Sequence, residues 1–126
     1  MVTLDQLVLP ETAKLLMGNG FDSKEYLGNF WYDEAGGLYN NNAAQENFNE
    51  KLIPAPSQSI AARWLREKKG LFIRIDYYFI TKTYQYEIQV VEDNYSYRTE
   101  APFDFDTYEQ AMEAAIVSAT KGNFIK

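Results

Sequence analysis

The clearest periodicity in the chain lies near its end. Tyr108, Ala111, Met112, Ala115, Ile116 and Ala119 recur at helical spacing, which predicts an amphipathic helix closed by Gly122. Asp106 followed three residues later by Glu109 reads as a capping-box start for it. Upstream, the pattern changes to period two. Leu71 to Ile80 is a β-forming run with Leu71, Ile73, Ile75 and Tyr77 on one face and Phe72, Arg74, Asp76 and Tyr78 on the other. After Thr81-Lys82, Tyr84, Tyr86, Ile88 and Val90 alternate with Thr83, Gln85, Glu87 and Gln89, so the second set defines a wet face. A turn at Asp93-Asn94 and a third strand, Tyr95 to Thr99, complete a meander that Ala101-Pro102 ends.

Before the meander, Pro54-Ala55-Pro56-Ser57 announces a helix from about Pro56 to Lys69, with Ile60, Ala61, Trp64 and Leu65 on one face. Arg66, Lys68 and Lys69 fill its last turn, where cations suit the negative end of the dipole, and Gly70 stops it. Pro10 opens a shorter helix carrying Ala13, Leu16 and Met17 on one face, with Gly18 or Gly20 to end it and Phe21 to pack back. Asn29 to Asp33 and Leu38 to Asn40 read as a hairpin around Gly36-Gly37, and the Asn-rich stretch 40–50 as a surface loop. The fold class is therefore α+β. Residues 51–126 form a three-stranded antiparallel meander covered by two helices (α-β-β-β-α), and residues 1–50 add an N-terminal helix and small hairpin within a single domain 1–126.

Composition narrows the chemistry. The chain has 126 residues, 46% hydrophobic and 24% charged, the proportions of a folded domain. It holds no cysteine and no histidine. Thiolate nucleophiles, Cys-based metal sites, histidine bases and Ser-His-Asp triads are thereby excluded, leaving carboxylate, Lys, Tyr or Ser chemistry for any catalysis. The reading is of a non-enzyme with no cofactor and no metal. The first residues lack a basic start and a long apolar run, and no stretch is long enough to span a bilayer, so the expected location is the cytoplasm, with no membrane partner.

The motif Ala55-Pro56-Ser57-Gln58-Ser59 leading into Arg63-Trp64-Leu65-Arg66-Glu67 resembles small uncharacterised proteins encoded by bacteriophages and prophages of gut bacteria. Those share a P-[ST]-Q-S motif, a W-L-R-[ED] helix, an ending like Asp106-Thr107-Tyr108-Glu109-Gln110-Ala111, and an opening like Ala13-Lys14-Leu15-Leu16 with Gly20-Phe21-Asp22. The resemblance implies an origin in a bacterial host cytoplasm, with virion association left open. It carries no activity and no functional residues with it.

Four groups invite a functional reading. Gln58 with Trp64-Leu65-Arg66 is explained as well by a capped helix with Trp64 in the core. Net charge is −6, but residues 57–82 carry six basic and two acidic side chains between acidic arms. Arg63, Arg66, Lys68, Lys69 and Arg74 could contact phosphates there, and α-β-β-β-α is the element order of double-stranded-RNA-binding domains. Such domains place basic residues at the start of the last helix, where this chain has Asp104, Asp106 and Glu109. Nucleic acid is accordingly the runner-up. Ten tyrosines, eight phenylalanines and two tryptophans exceed what a short chain readily buries. Among Tyr77, Tyr78, Tyr84, Tyr86, Tyr95 and Tyr97, most are assigned to the core and Tyr78 or Tyr95 to an interface, with Trp31 a further interface candidate. The carboxylate pairs Asp33/Glu34 and Asp104/Asp106 sit at a turn and a helix start, positions that explain them without catalysis. The favoured function is a non-catalytic module that binds protein or a second copy of itself as a homodimer.

Overall fold

A computed structural model describes residues 6–22, 24–26, 30–40, 52–90, 95–98 and 104–122. The Asn-rich segment 41–50, the turn at Asp93-Asn94 and the ending at Ala101-Pro102 lie outside them. The described elements are α1 (Pro10–Gly18), β1 (Phe30–Tyr32), β2 (Leu38–Asn40), β3 (Ile53–Pro54), α2 (Gln58–Lys69), β4 (Leu71–Tyr78), β5 (Thr83–Val90), β6 (Tyr95–Arg98) and α3 (Tyr108–Lys121). The class is α+β. The chain divides into two compact units, Met1–Ala61 and Ala62–Lys126, and the division falls inside α2. None of the described helices is long and apolar enough to cross a membrane.

In the first unit, Pro10 starts α1 and Asn19 caps its end. Gly20, with φ of 98°, lets the chain reverse there, so that the Phe21 N–H reaches the Leu16 carbonyl and the Gly20 N–H that of Met17. Thr12, Ala13 and Leu16 form the buried face of the helix, and Met17 is exposed, a correction to the face assigned from spacing. The hairpin pairs Trp31 with Tyr39, and β1 also pairs with β3, giving the order β2-β1-β3. The sequence does not announce β3: Pro54 forms part of a short edge strand opposite Trp31 rather than the lead-in to α2. The segment before α1 pairs with the one before α2 through Val8 N–H to the Pro56 carbonyl and Gln58 N–H to the Gln6 carbonyl. The Tyr32 hydroxyl donates to the Val8 carbonyl at 2.7 Å in the interior, among buried Val8, Leu16, Phe21, Tyr26 and Ile53.

α2 begins at Gln58, with the Ser57 hydroxyl accepting the Ile60 N–H as its cap. Ala61, Trp64 and Leu65 are buried along it, and Gly70 leaves it in the left-handed conformation at φ of 67°. In the second unit the antiparallel order is β4-β5-β6, with Ile73 opposite Ile88 and Ile88 opposite Tyr97. α3 packs over β4 and β5, burying Ala111, Met112, Ala115, Ile116 and Ala119. The Tyr86 hydroxyl and Ser118 Oγ, 2.7 Å apart, tie helix to sheet.

Four expectations change here. The capping box of α3 is Thr107 with Gln110, not Asp106 with Glu109. Tyr108 stands exposed at the helix start instead of on its buried face. Glu87, placed on a wet face by alternation, is buried in the middle of the sheet, where Arg74 on the neighbouring strand meets it at 2.9 Å. Finally, β4 stops at Tyr78: Phe79 and Ile80 belong to a turn that extends to Lys82, whose φ of 57° closes it.

Candidate functional site

The basic residues are the natural first test, and all of Arg63, Arg66, Lys68, Lys69 and Arg74 are exposed. Four of them engage neighbours in their own unit. Arg63 Nε donates to Glu67 Oε1 at 3.0 Å, one turn along α2. The Arg66 guanidinium lies 5.7 Å from the Phe72 ring centre, and the Lys69 ammonium 5.4 Å from that of Trp64. Lys68 also has a partner. Arg74 contacts Asp76 at 3.1 Å as well as Glu87, and the hydrogen bond it donates to the Asp76 carboxylate foremost holds its guanidinium in the charged form above the ordinary value. Trp64 is core, as its helical spacing indicates, and Gln58 is buried at the helix start.

The carboxylate pairs separate into structural parts. Asp33 organises the β1–β2 turn: its Oδ1 accepts the N–H groups of Ala35 and Gly37 at 2.9 and 2.7 Å, and its Oδ2 accepts the Tyr39 hydroxyl at 3.0 Å. The Gly37 N–H, more than any other group, holds this carboxyl below its ordinary range. A Cβ at position 37 would stand 2.6 Å from Asp33 Oδ2, so a larger residue there would displace this carboxylate. Glu34 contributes its backbone carbonyl to the Lys14 ammonium. Asp104 accepts the Gln85 side-chain amide at 2.6 Å, and Asp106 offers its N–H to Gln110 Oε1. Among the described residues no group of acidic side chains could hold a metal ion.

The aromatic candidates divide between the two units. Trp31 is half-buried in the first unit, between Tyr39 and Pro54 in register. Tyr78 and Tyr95 belong to the second unit at opposite ends of its sheet, since Tyr78 pairs with Thr83 whereas Tyr95 pairs with Val90. Tyr77 packs on Tyr84 with ring centres 4.9 Å apart, Tyr84 meets Tyr108 edge to face, and Tyr86 meets Phe105.

The surface that sequence reading missed is the tip of the β4–β5 hairpin. Tyr77, Tyr78, Phe79 and Ile80 are 52%, 38%, 76% and 86% exposed, consecutive apolar or aromatic side chains where a hairpin ordinarily carries polar turn residues. Their β propensity hid them, because an apolar run reads as a strand until its partner fixes where the chain turns. No protein family, curated protein or solved structure matches the chain.

Proposed function

We propose that this chain is a bacteriophage- or prophage-encoded, non-catalytic module that binds protein, itself included. The observation that carries the reading is the apolar hairpin tip. Exposed Phe79 and Ile80 have no role in the core of their own unit, and holding such side chains in water forfeits burial worth about 1.5–3 kcal/mol each. A protein partner recovers that energy, and aromatic and aliphatic anchors of this kind form the centre of protein interfaces. The absence of histidine and cysteine, and the structural use of Asp33 and Asp104, leave the surface better suited to recognition than to chemistry.

The test is affinity capture from the bacterial host, comparing the parent with Phe79→Ser/Ile80→Ser, followed by reassembly with the purified captured protein. The variant is expected to fold, because both side chains are exposed, and to lose the interaction. Equal binding by parent and variant would contradict the role of the tip.

A further inference from the structure

Resting on the binding-module reading, we infer that β4 is the docking edge for a second copy of this chain, pairing antiparallel with itself about a two-fold axis through Ile75. β4 is the outer strand of the order β4-β5-β6, and among the described residues it has no strand on its other side. Leu71–Tyr78 contains no proline and no lysine, the usual protections of an open edge.

The direction of its free backbone groups follows from β5. Tyr84 exchanges both backbone hydrogen bonds with Phe105, at 2.8 and 2.9 Å, so its N–H and C=O point away from β4. Tyr77 faces Tyr84 in register and therefore directs its own N–H and C=O outward, and antiparallel alternation extends this to Ile75, Ile73 and Leu71. A second β4 can thus form doubly hydrogen-bonded pairs only where these positions meet one another.

Charge then selects the register. Centring the pair on Arg74 would set Arg74 against Arg74, and centring it on Asp76 would set Asp76 against Asp76. Centring it on Ile75 places Arg74 opposite Asp76 of the second copy, twice by symmetry, in the pairs whose side chains approach most closely. The same register puts Phe72 opposite Tyr78 on that face, where both are exposed, and Ile73 opposite Tyr77 on the helix-covered face. Half-buried Ile75 meets its own copy at the axis. The two three-stranded sheets become one continuous sheet, a self-complementary isologous contact. Arg74 and Asp76 already touch within one copy, so the contact extends an existing charge network that ends on buried Glu87.

Sedimentation equilibrium from micromolar to submillimolar concentration tests this on the full chain, with thermal melts to confirm folding. The parent is expected to approach twice the monomer mass. Asp76→Arg turns both cross-copy attractions into repulsions and should weaken the dimer about tenfold or more, whereas Asp76→Glu keeps it. Ile75→Pro removes an outward N–H that no strand among the described residues pairs with, and it should abolish pairing. A dimer that ignores Asp76→Arg and Ile75→Pro but is lost in Phe79→Ser/Ile80→Ser overturns edge pairing and leaves the binding-module reading standing. A monomer at every concentration also overturns edge pairing, and capture through the tip then decides the binding module by itself.

Discussion

Replacing Ile116 by alanine tests the packing that holds the second unit together. Ile116 lies in the middle of α3, fully buried, on the face shared with Met112, Ala115 and Ala119. The substitution removes three carbons, and at about 0.8 kcal/mol per buried carbon the lost transfer energy is roughly 2.4 kcal/mol. Collapse of the surroundings is restricted, because the Thr107–Gln110 capping box fixes one end of the helix and Tyr86–Ser118 ties it to β5. A residual cavity therefore adds to the cost, for a total of about 2–5 kcal/mol. In a domain this small that lowers the melting temperature by roughly 10–25 °C. Val117→Ala is the internal control: the same helix loses carbons from a half-exposed position, and the cost should stay below about 1 kcal/mol. Far-UV circular dichroism melts of parent and both variants decide the matter. An Ile116→Ala protein that melts with the parent, or no lower than Val117→Ala, would refute the buried face of α3.

Asp33 gives a pH-dependent prediction. Its folded carboxyl titrates below the ordinary value of 3.8, so its contribution to stability is present above that pH and is lost as pH falls through the lowered folded value. Asp33→Asn should flatten the loss of melting temperature in that acidic window, and parallel curves for parent and variant would contradict the turn role of the carboxylate. At the basic segment, no salt-sensitive binding of DNA or RNA by the parent is expected at physiological salt. Submicromolar binding that Lys68→Glu/Lys69→Glu abolishes would favour the nucleic-acid reading instead.

What the sequence revealed of this fold was its locally encoded part. The period of α3 from Ala111 to Ala119, the strand character of β5, the start of α1 at Pro10 and the end of α2 before Gly70 depend on neighbours a few residues away, and they appear in the structure. Features that depend on distant partners were hidden. β3 exists because Ile53 finds Tyr32, and nothing within a two-residue proline-containing segment announces that pairing. Glu87 occupies a polar position in its own strand and is buried in the middle of the sheet, where β4 brings Arg74 to one side of it and β6 pairs with it on the other. The hairpin tip is hidden for the same reason: Phe79 and Ile80 favour a strand locally, but the register of Tyr78 with Thr83 leaves them in the turn. Of the interface candidates, Tyr78 was visible as an aromatic in excess of the core. The self-complementary order of Phe72, Arg74, Ile75, Asp76 and Tyr78 was present in the sequence too, but it acquires meaning only once the strand order puts β4 at an edge.

Self-pairing of β4 is tested most directly by amide hydrogen exchange, measured residue by residue by NMR at low and high protein concentration. The outward N–H groups of Ile73, Ile75 and Tyr77 should exchange freely in dilute solution and become protected as concentration rises. The inward N–H groups of Phe72, Arg74 and Asp76 should be protected throughout by β5. Outward amides that exchange at the same unhindered rate at every concentration would contradict the account.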